Sequence, residues 1–276
     1  MRIDAHQHFW SLDRGDYDWL TPELSALYRD FYPSDLDPLL EQNQIEGTVL
    51  VQASPTLAET NYLLSLANKH DFIKGVVGWV DFESFDVIQT INELAKDPKV
   101  VGLRPMIQDI EDVDWMLSAD FTPVFNAIIN HNLVFDALTK PNHLPNLRRL
   151  LLRHPELRTV IDHGSKPVIA AREFEPWAVE MALIAKNSQA FVKLSGLVTE
   201  AKENWSVDDL TPYVDHLFTC FGADRIIWGS DWPVCNLASD YTEWCETTDE
   251  ILNGLSTEER DAVLGGNAMR VYSLKG

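Results

Sequence analysis

Eight short β-rich runs recur along the chain: Arg2–His6, Thr48–Ala53, Lys74–Val80, Val100–Arg104, Leu133–Asp136, Thr159–His163, Phe191–Ser195 and Arg225–Gly229. They start between 26 and 46 residues apart. Most are continuously apolar, as in Val49-Leu50-Val51 and Ile226-Ile227-Trp228. Continuous rather than alternating apolarity is what a parallel strand buried on both faces requires. Between the runs lie stretches with apolar residues at helical spacing, among them Leu57–His70, Ile88–Leu94, Pro145–Arg153 and Pro212–Phe221. Gly265-Gly266-Asn267 reads as a helix stop followed by an Asn N-cap for Ala268–Ser273.

Eight β/α units in 276 residues predict a closed (β/α)8 TIM barrel, an α/β fold, as a single domain over residues 1–276. An open doubly wound sheet is the competing architecture, but it calls for a Gly-rich first turn that no strand here carries. The longest excursion from the repeat is the loop 10–33, rich in aromatic residues, which is expected to lie over the C-terminal face of the barrel.

Charge narrows the function. Forty-three acidic residues against 22 Lys and Arg leave a formal net charge of −21. Binding to a phosphate backbone needs clustered cations that release counterions, and anionic membrane surfaces need them too. Nucleic-acid and membrane partners are therefore excluded, which leaves a small molecule. Cys220, Cys235 and Cys245 form no C-x-x-C pair. The N-terminal residues lack a signal peptide's apolar region. A cytoplasmic location is the expectation; the oligomeric state is not legible.

In a barrel of this kind the active site forms at the C-terminal strand ends. The first strand ends Asp4-Ala5-His6-Gln7-His8. Strand alternation predicts Asp4, His6 and His8 on one face and Ile3 and Ala5 on the other. A His-x-His pair can chelate a divalent ion or polarise one carbonyl oxygen jointly, although a polar edge on an N-terminal strand has the same spelling. His163 closes the sixth run next to Asp162, and ideal geometry turns only one of the two inward. His163 is the first choice for the site, with Asp162 as the alternative.

Asp231, in Gly229-Ser230-Asp231-Trp232-Pro233, follows small residues that would leave room for a ligand and is positioned as a general base. An Asx-turn is the bland reading of the same residue. Arg104 and Asp136 end the fourth and fifth runs, with a substrate fork or a mutual ion pair as the two readings of Arg104. Lys193 and Ser195 share a parity on the seventh, to hold either polar substrate groups or the barrel core's own charges; Arg104, Asp136 and Lys193 are thus substrate-binding candidates. His143 lies in the loop after the fifth strand, either at the site or at a helix start. His70, His131, His154 and His216 sit at or inside helices and are read as capping or solvated. Trp10, Trp79, Trp228 and Trp232 cluster at strand ends; Trp10, Trp79 and Trp232 are candidates for enclosing a polyhydroxylated ligand.

Five segments in order, Asp4–His8, Gly102–Asp109, Ile161–His163, Lys193–Glu200 and Trp228–Pro233, resemble the amidohydrolase superfamily. The likeness is to its amidohydrolase-2 TIM-barrel branch, which includes sugar-lactone hydrolases such as L-fuconolactonase and L-rhamnonolactonase. The resemblance implies a hydrolase of carbohydrate metabolism that opens a sugar lactone to its aldonic acid. His6, His8, His163 and Asp231 would hold one divalent ion, zinc in the first place, or act without metal. It implies Asp231 as the carboxylate that activates water and His163 as a catalytic histidine; Arg104, from its strand-end position, is the third catalytic candidate and would orient the substrate. No counterpart of a bridging Lys or Glu is present, and Lys193 and Ser195 stand where many members have a second lone His, so a two-metal centre is not expected. A metal-dependent decarboxylase of an aromatic or dienoic acid on the same scaffold is the rival enzyme. A non-catalytic sugar-acid binder is the rival outside catalysis.

Overall fold

A computed structural model describes residues 1–275. Its strands are β1 (Ile3–Gln7), β2 (Gly47–Val51), β3 (Ile73–Gly78), β4 (Val100–Leu103), β5 (Val134–Ala137), β6 (Thr159–Ile161), β7 (Phe191–Leu194) and β8 (Ile226–Trp228). Each pairs in parallel with the next, in the order β1 to β8. The ring closes just beyond β8, where the His8 N–H donates to the Trp232 carbonyl at 2.7 Å and the Asp231 N–H to the His6 carbonyl at 2.8 Å. The expected single-domain (β/α)8 barrel is the observed fold.

The helices are α1 (Pro33–Gln42), α2 (Leu57–Ala67), α3 (Val87–Leu94), α4 (Thr122–Asn130), α5 (Leu144–Arg153), α6 (Trp177–Asn187), α7 (Val207–Phe221), α8 (Tyr241–Ile251), α9 (Thr257–Asp261) and α10 (Asn267–Val271). Leu50, Val76, Leu103, Phe135, Ile161, Val192 and Trp228 pack outward into the layer between strands and helices. The opposite set, Ala5, Val49, Val51, Val77, Val101, Val134, Val160 and Ile227, fills the barrel interior, with Ala268, Val271 and Tyr272 of the C-terminal segment packed against it. Interior and shell are thus two separate apolar clusters, as strands buried on both faces require. Among the described residues no helix is long and apolar enough to cross a membrane.

Two local readings are corrected. Asn267 is not an N-cap: its φ and ψ are helical, and a π-helical turn over Ala262–Gly266 leads directly into α10. Its side-chain amide instead donates to the carbonyls of Ala223 and Ile226, both at 2.7 Å. Gly265 is there for space, since a Cβ would stand 2.1 Å from the Met1 carbonyl oxygen. The second correction concerns β1. Its register against β2 shifts between Asp4 and Gln7, and the extra residue of a bulge reverses the alternation. Ala5 packs in the interior, and His6 points inward as well. Asp4 turns outward, where its carboxylate accepts from Ser230 Oγ at 2.6 Å and from Tyr241 Oη on α8 at 3.1 Å.

Candidate active site

Above the C-terminal strand ends is a cavity of about 280 Å3, lined by His8, Arg104, His163, Lys166 and Asp231, with Trp19 and Leu24 contributed by the 10–33 excursion. His6 lies directly beneath, fully buried. Asp231 Oδ1 is 3.3 Å from His8 Nε2, 3.7 Å from His6 Nε2 and 3.8 Å from His163 Nε2. Three imidazoles from β1 and the end of β6 thus face one carboxylate from the end of β8.

Backbone conformation brings them there. His163 has φ 52, the start of a left-handed stretch that continues through Gly164, Ser165 and Lys166. The turn breaks strand alternation, so Asp162 and His163 both face the barrel axis at different depths. The expectation that only one of them can point inward does not hold. Asp231 also has a positive φ, 58, uncommon outside Gly and tolerated best by Asn and Asp. Two glycines make room for the rings. A Cβ on Gly196 would stand 2.5 Å from His163 Nδ1, and one on Gly229 would stand 2.7 Å from His6 Cβ. Gly229, two residues before Asp231, therefore accommodates His6 rather than a ligand.

Each ring is oriented from behind. His8 Nδ1–H donates to the Val51 carbonyl at 2.8 Å, and His163 Nδ1 is 2.9 Å from Ser195 Oγ. With those nitrogens carrying the protons, each Nε2 turns a lone pair to the cavity. His6 Nδ1 lies 3.5 Å from Asp162 Oδ1 and 3.0 Å from Lys193 Nζ. The Lys193 ammonium can only donate, so His6 Nδ1 accepts from it, and Asp162 Oδ1 is left buried without a well-directed hydrogen bond.

Below the rings runs a buried charge network. Lys193 Nζ contacts Asp136 at 2.6 Å and Asp162 at 2.9 Å. Arg104 Nη1 donates to Asp162 at 3.1 Å, and Arg104 Nη2 donates to the Gln52 carbonyl. Tyr272 Oη donates to Asp136 at 2.8 Å. Arg104 pairs with Asp162, not with Asp136 as the ion-pair reading had it.

Burial sets the protonation states. It drives the His163 imidazole down to about 4, and burial together with the neighbouring Lys193 ammonium holds His6 well below its ordinary value. Burial alone would raise the Asp231 carboxyl, but its contacts with His163, His8 and His6 outweigh this and keep it low. Neutral imidazoles around an ionised carboxylate are the donor set a divalent cation takes.

The spacing agrees. Lone pairs facing a carboxylate oxygen repel it unless something positive lies between. Atoms bound about 2.0–2.2 Å from one tetrahedral ion stand roughly 3.3–3.5 Å from each other. His6, His163 and Asp231 offer ligand atoms all within 4.8 Å of one another, and His8 stands beside Asp231 just outside that group.

The remaining candidates divide. Asp136 and Lys193 are fully buried in the network beneath the cavity. His143 is at a helix start, its Nδ1 accepting from the Lys140 N–H at 3.0 Å. Trp10 and Trp232 are buried against Phe31, with ring centroids 5.3 and 5.2 Å away, and do not line the cavity. Trp79 lines a neighbouring chamber. Lys166, Trp19, Met106, Gln108 and Asp109 line the cavity without having been singled out. Met106, Gln108 and Asp109 fall in the family segment Gly102–Asp109, while Trp19 belongs to the long excursion and Lys166 merely follows a strand end. Glu59 escaped notice as well. Its buried carboxylate, raised by burial to about 7, accepts the N–H groups of Ala53 and Ser54 and so fixes the segment after β2.

Comparison with known proteins agrees with this architecture. The L-fucono-1,5-lactonase of Burkholderia ambifaria is 44% identical over 279 residues, covering 99% of this chain and 96% of its own. The L-fucono-1,5-lactonase of Burkholderia multivorans is 34% identical, again over 99% of this chain and 96% of its own. The crystal structure of an amidohydrolase from Burkholderia multivorans with bound Zn superposes with a TM-score of 0.93 at 34% identity, covering all of both chains. The amidohydrolase family Amidohydro_2 matches residues 3–274. From its first strand to its last helix, this chain belongs to the amidohydrolase family.

Proposed function

We propose that the protein hydrolyses sugar 1,5-lactones to aldonic acids, with Asp231 as the general base. The observation that carries the reading is the convergence of His6, His8 and His163 on Asp231 at the floor of a ring-sized cavity. The full-length likeness to two lactonases favours it over the decarboxylase and over a pure binder, which has no need of a base.

His6, His163 and Asp231, with His8 beside them, fit one divalent ion, zinc in the first place; when bound it would polarise the lactone carbonyl and acidify a water molecule. The chain's own groups do the rest. Asp231 Oδ1 orients water and takes one of its protons, within reach of the pocket that seats the lactone. The oxygen of that water forms a bond to the carbonyl carbon, and the carbonyl electrons move to its oxygen. Collapse of the tetrahedral intermediate breaks the bond from that carbon to the ring oxygen. Asp231 returns its proton to the leaving alkoxide. Arg104, held by Asp162 and Gln52, presents a fixed cation to the developing negative charge at no cost in reorganisation. Lys166, Gln108 and Asp109 are placed to hold hydroxyl groups.

The products are an aldonate and one proton at neutral pH. A pH-indicator screen of sugar lactones, with elemental analysis of the same preparation, tests the reading. Acidification with L-fucono- or L-rhamnonolactone and about one equivalent of divalent metal are expected. Turnover of a carboxylic acid with CO2 release and no acidification would overturn it.

A further inference from the structure

Beside the catalytic cavity, on the side of β2, β3 and β4, is a second, larger chamber of about 810 Å3. Trp19, Met106 and Asp109 line both spaces, so the two adjoin. The inner cavity is at the lower limit for a small-molecule site, while the outer chamber is in the range of a drug-sized ligand. One lactone ring fills the first and leaves the second empty.

We propose that the outer chamber is a second sugar subsite, so that the enzyme's substrates include lactones bearing a neutral glycosyl substituent. The proposal rests on the lactonase reading and extends it to a class of substrate. Its chemistry follows from the walls. Trp19, Trp79 and Trp115 present indole surfaces, which suit the C–H faces of a pyranose ring. Asp18, Asp81 and Asp109 offer carboxylate oxygens, which accept from hydroxyl groups. No Lys, Arg or His is among the lining residues, so an anionic substituent such as a uronate would meet uncompensated negative charge. A cationic substituent gains little. The Asp16 charge is already met by Arg14 at 2.5 Å, and Glu83 accepts the Trp115 indole N–H at 2.9 Å. Asp18, Asp81 and Asp109 are exposed, where solvent and salt screen their pull on a cation.

The test compares kcat/KM for three substrates: the aldono-1,5-lactone turned over best, its 4-O-glucosyl derivative and its 4-O-glucuronosyl derivative. The wild type should prefer the neutral glucosyl compound to the parent by on the order of tenfold, the worth of one good stacking contact. It should disfavour the glucuronosyl compound relative to the glucosyl one by a similar factor. In Trp115→Ala the preference should fall to about one, with the parent lactone unaffected. Should that variant fail to fold, Asp81→Lys on the rim should erase the discrimination against the glucuronosyl compound. A wild-type ratio of one or below, or a preference that both variants leave intact, overturns the subsite. Failure of every lactone, parent included, would instead sink the lactonase reading on which it rests.

Discussion

Asp231 donates its backbone N–H to the carbonyl of His6 at 2.8 Å, while its side-chain Oδ1 stands 3.7 Å from the Nε2 of the same residue. A hydrogen bond that closes the barrel and the pair proposed to carry the chemistry are made by the same two residues. Site geometry is thereby fixed by the fold's own seam, without a mobile loop between them. Asp231→Asn keeps the backbone bond and the side-chain shape but removes the base. We expect kcat to fall by roughly 10²–10⁴-fold with the fold retained at a modest cost in thermal stability, since contacts with His163, His8 and His6 favour the ionised carboxylate in the folded state. Steady-state kinetics beside a thermal melt check this, and near-normal turnover would remove Asp231 from the mechanism.

Acid should inactivate the enzyme late. A free histidine titrates near 6.5, but burial holds His163 near 4, and burial with the neighbouring Lys193 ammonium holds His6 well below its ordinary value. Both rings therefore stay neutral as pH falls from 7 to 5, and Asp231 stays ionised. The prediction is a flat kcat/KM over that range and a decline as pH drops through about 4, where His163 takes up a proton. An acid limb centred near 6.5 in the pH–rate profile would mean that the cluster is hydrated rather than buried.

The strands were legible because burial on both faces writes continuous apolar runs such as Ile226-Ile227-Trp228. The histidines at their ends were legible because strand ends in such a barrel collect chemistry. What escaped was set by backbone irregularity. Alternation put Asp4 with His6 and made Asp162 and His163 exclusive; a bulge in β1 and a left-handed turn after β6 undo both. Neither leaves a local signature, because His163 is not a glycine and the bulge depends on the register of β2. Trp10 and Trp232 looked like pocket walls, yet both pack on Phe31 of the excursion, for Trp232 a contact across about 200 residues of sequence that no local pattern encodes. Lys166 and Gln108 lie on loops, where a side chain's direction depends on neighbours distant in the chain.

Ser195 should act through His163 rather than on substrate. Its Oγ is 2.9 Å from His163 Nδ1, the second-sphere contact that fixes a ligand histidine's tautomer and ring angle. Ser195→Ala is expected to lower metal affinity or kcat by roughly 10–100-fold while leaving the fold intact. Ser195→Thr, which retains the hydroxyl, should recover part of the loss. Metal titration followed by mass spectrometry, read beside kcat, separates this from a general loss of structure, and an unaffected Ser195→Ala enzyme would show that His163 needs no such support.

Lys193 is the keystone of the buried network, and its removal should be felt first in stability. Its Nζ meets Asp136 at 2.6 Å, Asp162 at 2.9 Å and His6 Nδ1 at 3.0 Å, with all four side chains out of contact with water. Lys193→Met preserves most of the stem's volume and strips the charge, leaving Asp136 without a cation in the barrel interior and Asp162 with Arg104 alone. Breaking a buried pair in this way costs about 3–5 kcal/mol. The pH dependence carries a definite sign. Burial already raises the Asp136 carboxyl to about 6 despite Lys193, and without the ammonium it must rise further. A carboxyl whose folded value lies above its unfolded one binds more protons folded than unfolded, so stability falls as pH climbs through that interval. The deficit of Lys193→Met should therefore be larger at pH 8 than at pH 5. Adding Asp136→Asn, which removes the stranded charge, should restore part of it. Urea unfolding of the three proteins at both pH values measures each term, and a deficit below about 1 kcal/mol that ignores pH would show that water reaches these carboxylates.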